Sequence, residues 1–192
     1  MIKKYVILAS TLILSACAAT QPPPPPLTLT PTAVFTSKPW ANHKALNLTS
    51  VDKAPNRYIA AIDSGTENVQ VIQPQQPVST TLRQALTQQL SGQGFRITDN
   101  ATSTMVITVE KALVTVKQKL VKYNMHSELQ LTLTVNTPDG QFIKRYSGRS
   151  SREDALKASP KDIATSMNKL MDSVLNEIAS DSELNKYLKE NI

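Results

Sequence analysis

The clearest constraint on the fold is the strict alternation of apolar and polar residues between Glu128 and Val135. Apolar residues occupy the odd positions 129, 131, 133 and 135, and polar residues occupy the even positions. Successive side chains of a strand point to opposite faces of its sheet, so this segment has one buried face and one hydrated face. Because antiparallel sheets commonly have that arrangement, we expect an antiparallel sheet that is covered on one side.

Helical patterns lie on both sides of the strand-rich region. Leu82, Leu86 and Leu90 recur at helical spacing, and Ser159 and Asp162 have the spacing of a capping box at the start of a later helix. The chain thus reads as strands, helix, strands, helix, and a short helix at its end. We expect an α+β fold: a single antiparallel sheet, with a mixed edge allowed, two main helices packed on one face, and a short C-terminal helix.

Two local signals refine the strands on either side of this alternation. The parity of the apolar positions changes near Glu110-Lys111, which predicts a β-bulge there. The segment Asn136–Gly140 contains Asn, Pro, Asp and Gly, which predicts a tight turn between two antiparallel strands.

The N-terminus has the pattern of a bacterial export signal. Lys3 and Lys4 precede ten mostly apolar residues, 5–14, a stretch too short to span a bilayer. The stretch ends in Leu14-Ser15-Ala16-Cys17, which resembles the lipobox of bacterial lipoproteins. The alternative, an ordinary thiol behind an ordinary signal peptide, is disfavoured because charge, apolar stretch, small residues and the only cysteine occur in the right order.

Lipidation of Cys17 would decide where the protein lies. A diacylglyceryl group and a further acyl chain such as palmitate would anchor the chain permanently, since two chains already anchor stably. By resemblance to enterobacterial lipoproteins, Ala18 favours the outer membrane, with the domain facing the periplasm. The expected partners are membrane lipid and the lipoprotein export and sorting machinery, and no cofactor is expected besides the covalent lipid.

Three regions follow from this interpretation: a signal peptide at 1–16, a lipidated and proline-rich tether at 17–40, and one periplasmic α+β domain at 41–192. Seven prolines precede residue 40, and five of them form the run Pro22–Pro26. Such a run favours polyproline II, a semi-rigid spacer. A docking peptide for a proline-binding groove is the alternative, and the spacer is favoured because a tether is needed directly after an anchor.

The whole pattern resembles the YajG family of small enterobacterial lipoproteins. The resemblance rests on the lipobox, the proline run, the strand ending Val51-Asp52-Lys53-Ala54-Pro55, the helical segment Leu82–Gly94 and the triplet Tyr146-Ser147-Gly148. It implies an outer-membrane lipoprotein of unassigned activity, and it supplies no catalytic residues.

Positive charge is concentrated in residues 111–161, which carry ten Lys and Arg but four Asp and Glu. Such a surplus would suit an acidic ligand, such as lipopolysaccharide or a peptidoglycan fragment, or an acidic protein. The alternative is a solvated sheet face, since strand parity separates Lys144 from Arg145 and Arg149. The candidate ligand-binding residues are Lys117, Lys119, Lys122, Lys144, Arg145, Arg149 and Arg152.

No motif indicates catalysis or a metal site. The two histidines, His43 and His126, stand outside any catalytic pattern, and no phosphate loop or calcium loop is present. We therefore expect no enzyme, no metal and no nucleic-acid partner. The first hypothesis is an interaction or accessory module that docks an unknown envelope protein. The second is a binding module for an acidic envelope ligand, and a hydrolase is a distant third.

Overall fold

The computed structural model describes residues 23–35 and 38–192. The predicted signal peptide at 1–16 and the lipidation site at Cys17 lie outside these residues. The described chain contains, in order, β1 Ala45–Asp52, β2 Ala60–Asp63, β3 Gln70–Ile72, α1 Val78–Gly92, β4 Arg96–Ile97, β5 Thr104–Gln118, β6 Lys122–Thr137, β7 Gly140–Ala155, α2 Pro160–Ser180 and α3 Ser182–Asn191.

The long strand β5 organises the sheet. On one side it pairs along its length with β6, which runs antiparallel to it and in turn pairs with β7. On its other side, β1 lies parallel to the first half of β5, and β2 lies parallel to the second half. Strand β3 is antiparallel to β2, and β4 is parallel to β1. The result is a mixed sheet curled into a half-barrel.

The expectation of a single antiparallel sheet with two main helices packed on one face is therefore wrong. Three strand pairs are parallel, and the sheet curls into a half-barrel. The alternation in β6 indicates that one face of this strand is buried. It does not indicate the direction of the other strands of the sheet. The chain passes through α1 between β1 and β5. A crossover connection through a helix allows the second strand to run parallel to the first.

The predicted bulge and the predicted turn are both confirmed. The β5–β6 register shifts between Val109 and Lys111, so the buried positions of β5 change from odd to even at that point. Strands β6 and β7 form a continuous antiparallel hairpin closed by Pro138-Asp139. The bulge keeps the apolar side chains of β5 on the covered face of the sheet on both sides of the register shift.

The start of α2 also agrees with the sequence interpretation. Ser159 Oγ accepts a hydrogen bond from the backbone N–H of Asp162, whose carboxylate accepts one from the backbone N–H of Ser159. This reciprocal cap satisfies two N–H groups at the helix start. The apolar side chains of α2 lie on one face of the helix and are buried in the core: Ile163, Met167, Leu170, Met171, Val174, Leu175 and Ile178.

Residues 27–34, here called the strap, pack onto the domain. Leu27 and Leu29 are each 6% exposed and belong to the hydrophobic core. The backbone N–H of Leu27 donates to the carbonyl of Gln73 at 2.8 Å, and its carbonyl accepts from the N–H of Gln75 at 2.8 Å. The strap therefore enters the structure beside the loop between β3 and α1.

Further along, the strap is bonded to side chains of α2. The backbone N–H of Thr30 donates to Asn168 Oδ1 at 3.0 Å, and that of Thr32 donates to Asp172 Oδ1 at 2.6 Å. The packed part of the chain thus begins at Leu27, earlier than the boundary at residue 41 expected from the sequence. A tether between anchor and domain would consist of the residues before Leu27.

Candidate functional site

The seven basic residues indicated by the sequence do not form one patch, because the β5–β6–β7 register distributes them over three places. The outer face is the sheet face that bears Glu128, opposite the buried apolar rows. Lys117, Arg145 and Arg149 lie on the outer face, Lys144 and Arg152 lie on the face packed against α2, and Lys119 and Lys122 lie at the β5–β6 hairpin.

The outer face is organised around the buried carboxylate of Glu128. Its Oε2 lies 2.6 Å from Lys111 Nζ, and its Oε1 accepts from Arg149 at 3.0 Å and from Gln130 at 2.8 Å. The hydrogen bond from Lys111, with those from Gln130 and Arg149, outweighs burial and lowers the pKa of Glu128 to about 2. Arg149 and Lys111 therefore share the carboxylate of Glu128 as their counter-ion.

Lys144 is likewise held in an internal contact. Its Nζ lies 2.8 Å from Asp181 Oδ2 and 2.7 Å from Glu183 Oε2, at the junction of α2 and α3. The hydrogen bond to Asp181, followed by that to Glu183, raises the pKa of Lys144. Asp181 is also the N-cap of α3. Lys144 thus attaches β7 to the helix junction, and its role is structural.

Two more of the predicted residues are paired near the hairpin. Lys122 Nζ lies 2.9 Å from Glu153 Oε1, and Arg152 is bonded to Asp154. Within residues 23–35 and 38–192, no ion pair is formed by the remaining three, which are Lys117, Lys119 and Arg145.

An apolar tip projects at the end of the β5–β6 hairpin. We define it by Leu120, Val121 and Leu156, whose exposed fractions are 100%, 75% and 76%. Gln118 holds the two loops together: its Nε2 donates to the carbonyls of Leu156 and Lys119, each at 2.8 Å. Its Oε1 accepts from the N–H of Ala158 at 3.1 Å. The three apolar side chains are therefore presented by an ordered support.

Strand β7 forms a long free edge of the sheet. Its 16 residues pair with β6, and in the described part of the chain no other strand pairs with it. The turn Pro138-Asp139 joins the paired residues Thr137 and Gly140, and a two-residue hairpin turn makes that closing pair hydrogen-bonded. The odd-numbered residues of β7 consequently direct their N–H and C=O groups away from β6, towards the open edge.

A cleft of about 580 Å³ lies between the β1–β2 and β3–α1 loops. Its wall includes Arg57, Tyr58 and Gln76, and its apolar lining includes Pro74 and Val78. The volume is within the range of small-molecule sites. The amide, guanidinium and phenol groups are suited to hydrogen bonding, and neither histidine lines the cleft. The sequence patterns did not reveal this cleft, because its residues come from two loops without a motif.

One serine–histidine contact occurs on the outer face. His126 Nδ1 lies 2.9 Å from Ser151 Oγ, and both residues are exposed. A nucleophile–base pair also needs a group that orients the histidine. Over residues 23–35 and 38–192 the other ring nitrogen, Nε2, makes no such hydrogen bond. The contact therefore reads as a cross-strand hydrogen bond between β6 and β7.

The described residues contain no cluster of three or more His, Cys, Asp and Glu side chains positioned to bind a metal ion. None of the helices formed by those same residues is long and apolar enough to cross a membrane.

Comparison with known proteins places the chain in a family. Residues 31–189 match the profile of a family described as "Uncharacterized lipoprotein". The chain is 23% identical over 145 residues to the uncharacterized lipoprotein YajG of Escherichia coli K12, covering 74% of this chain and 76% of that protein. The same values hold for YajG of the E. coli strain CFT073.

A solved structure with a TM-score above 0.5 supports the fold alone. A crystal structure of a protein from Xanthomonas campestris superimposes with a TM-score of 0.51 at 11% identity, covering 79% of this chain and 91% of that chain. The rare lipoprotein B of Shewanella oneidensis superimposes with a TM-score of 0.41 at 10% identity, over 77% of this chain and 100% of that chain. Because the family profile spans most of the sequence, the chain belongs to the YajG-like family of lipoproteins.

Proposed function

We propose that the protein is an outer-membrane lipoprotein whose periplasmic domain is a non-catalytic interaction module. In this proposal the free edge of β7 binds an extended segment of an envelope protein by strand addition. The observation that carries the proposal is the open, 16-residue edge of β7. Exposed edges present unpaired backbone groups, and a peptide can extend the sheet by pairing with them.

The side chains along β7 suit a close approach by a second chain. Ser147, Gly148, Ser150 and Ser151 are small residues in the middle of the strand. Arg145 lies beside them on the outer face, where it is exposed and forms no ion pair with another described residue. An acidic strand would therefore complement this edge, and the arginine would disfavour self-association with a second copy of the same edge.

The proposed location rests on sequence and family. The family is described as a lipoprotein family, and Leu14-Ser15-Ala16-Cys17 has the lipobox pattern. Ala18 supports sorting to the outer membrane by resemblance to enterobacterial lipoproteins. Replacement of Cys17 by Ala should release the protein from membranes or block its processing. Mass spectrometry of the mature protein should find acyl chains on Cys17, and an unmodified Cys17 on a membrane-bound protein would overturn this part of the proposal.

Binding of an acidic envelope ligand through residues 111–161 is the weaker candidate. Four of the seven candidate basic residues are paired with acidic neighbours: Lys122, Lys144, Arg149 and Arg152. The remaining three lie at separate places on the sheet and hairpin. A single anionic molecule would therefore meet less free charge than the sequence count implies.

Site-specific crosslinking in cells tests whether the free edge of β7 binds an envelope protein. A photoreactive amino acid at Ser151, beside the free edge, should capture one reproducible envelope protein, whereas the same probe at the exposed Gln88 of α1 should not. The replacement Ser147→Pro removes a backbone N–H that points towards the open edge. It leaves in place the N–H groups of β7 that bond to β6. It should therefore abolish capture at Ser151.

A structural control accompanies that experiment. The Ser147→Pro protein should keep its circular dichroism spectrum, which shows that lost capture reflects the edge rather than unfolding. Equal capture from Ser151 and Gln88, or capture that survives Ser147→Pro in a folded protein, would refute strand addition at β7.

A further inference from the structure

We infer that the apolar tip is a second membrane contact, which rests on an anionic phospholipid surface while Cys17 anchors the same chain. This inference builds on the proposed lipid anchor, but it concerns a different surface from the β7 edge. It assigns a role to Leu120, Val121 and Leu156, which the folded domain leaves in water.

The first argument is the geometry of the three side chains. Leu120 is wholly exposed, although leucine is a residue that folding normally buries. Leu156 has a φ of 69°, a left-handed conformation that is unfavourable for leucine. Its position is nevertheless held by Gln118 Nε2 on its carbonyl and by its own N–H, which donates to the carbonyl of Val121 at 2.9 Å. The fold thus keeps the apolar side chain of Leu156 exposed even though its backbone conformation is unfavourable.

The second argument is the charge around the tip. Lys119 precedes Leu120, and Lys157 follows Leu156, and both are exposed. Lys161, in the first turn of α2, is exposed as well. Within the described residues, none of these three lysines forms an ion pair. Exposed apolar side chains surrounded by lysines are the combination that binds anionic membrane surfaces.

The acidic residues near the tip do not cancel this charge. The carboxylate of Glu153 is paired with Lys122, and that of Asp154 is paired with Arg152. Asp162 accepts the hydrogen bonds that cap α2. An anionic headgroup approaching the tip therefore meets unpaired lysines, whereas Glu153 and Asp154 are already paired with cations.

The third argument is reach. The strap enters beside Pro74, and Pro74 lines the same cleft as Ala112 of β5. From Ala112 to Leu120 the hairpin advances eight residues, about 26 Å at 3.3 Å per residue. The ten residues from Cys17 to Leu27 span at most about 35 Å when extended. The chain between anchor and strap is therefore comparable in length to the part of the hairpin that extends beyond Ala112.

A fluorescence experiment on the lipidated protein tests the contact. Cys17 is the only native cysteine, so after its acylation the variant Leu120→Cys has a single free thiol for an environment-sensitive probe. A matched variant, Asp139→Cys, carries the probe on the β6–β7 turn at the opposite end of the sheet. Both proteins are reconstituted in vesicles of phosphatidylcholine, with and without phosphatidylglycerol.

The expected result is a blue shift at position 120, with quenching by brominated lipid, in the vesicles that contain phosphatidylglycerol. The probe at 139 should remain in water in both vesicles. Lys119→Gln with Lys157→Gln should weaken the contact about fivefold per lysine at low salt, whereas Lys53→Gln with Lys186→Gln should not. Leu156→Asn, which tolerates the left-handed backbone, should weaken it without disturbing the fold.

Two outcomes would overturn the inference. Unchanged emission at position 120 in anionic vesicles would show that the tip stays in water. A shift that depends on protein concentration and occurs without phosphatidylglycerol would show that a second copy covers the tip. The acyl mass on Cys17 is measured separately, so failure of the lipid anchor is distinguished from failure of the tip contact.

Discussion

The hydroxyl of Tyr146 donates a 2.7 Å hydrogen bond to Asp181 Oδ2, and this contact joins the middle of β7 to the α2–α3 junction. Burial of the phenol, with the bond to Asp181, raises the pKa of Tyr146. Burial would by itself raise the pKa of Asp181, but its bonds with Lys144 and Tyr146 lower it. The tyrosine and the lysine together keep one buried carboxylate charged.

Replacement of Tyr146 by Phe should therefore lower the free energy of unfolding by about 1–2 kcal/mol, because Asp181 loses one of its buried donors. Urea denaturation measures the change. The replacement Tyr187→Phe is the matched control, since its hydroxyl meets Thr137 at 3.1 Å in a less buried place. Equal losses for the two variants would contradict a special role of the Tyr146–Asp181 contact.

The free energy of unfolding should depend on pH because Glu128 is ionised in the folded protein. The pKa of Glu128 is lowered to about 2 in the folded protein, so its stabilising contribution is complete above the ordinary pKa and is lost as the pH falls towards 2. The contribution is about 1–3 kcal/mol, since each pKa unit corresponds to about 1.4 kcal/mol and solvent screens part of the effect. The urea concentration at the unfolding midpoint should decrease as the pH is lowered from about 4.5 towards 2.

The replacement Glu128→Gln should flatten that acid dependence and lower stability at neutral pH. The control Glu153→Gln removes a carboxylate from an exposed pair and should leave the acid dependence nearly intact. An unchanged pH profile in the Glu128→Gln protein would mean that another carboxylate controls acid unfolding.

Gly148 should not accept a side chain, because α2 packs directly against it. A Cβ atom at this position would lie 2.7 Å from Leu170 Cδ1. The replacement Gly148→Val should cost about 1–3 kcal/mol by overpacking. Adding Leu170→Ala to Gly148→Val should recover part of the loss, whereas Ser147→Ala, on the other face of β7, should be nearly neutral. Thermal unfolding of the four proteins measures this coupling.

The strap should separate from the domain when one of its buried leucines is replaced by a charged residue. Leu29 is buried, and Leu29→Asp should cost about 1.5–3 kcal/mol as the leucine contact is lost. Limited proteolysis should then cleave within residues 27–34 while the remainder of the domain stays protected. The replacement Thr32→Ala changes an exposed side chain and keeps the backbone N–H that bonds to Asp172, so it should leave the strap protected. Cleavage at the same rate in both proteins would contradict a packed strap.

Local patterns in the sequence predicted the local structure well. The alternation in β6, the bulge near Lys111 and the cap of α2 at Ser159 each depend on neighbouring residues, so each was visible in the sequence. The parity argument also placed Lys144 on the opposite face from Arg145 and Arg149, as the structure shows.

The long-range arrangement was not visible in the same way. Strands β1 and β2 are short, and nothing in their residues indicates that both run parallel to β5. The ion pairs of Glu128 and Lys144 join residues 17 and 37 positions apart, so the sequence did not show which basic residues have an acidic partner. One available signal was overlooked: Leu27-Thr28-Leu29-Thr30 alternates like a strand, although it lies within the proline-rich region.

The strap has a consequence for the order of events during export. The bonds of Thr30 and Thr32 reach partners 138 and 140 residues further along the chain. If the chain leaves the cytoplasm N-terminus first, as the proposed leader implies, the strap arrives early and its partners on α2 arrive among the last residues. The strap would then close only when the helix that holds it has emerged.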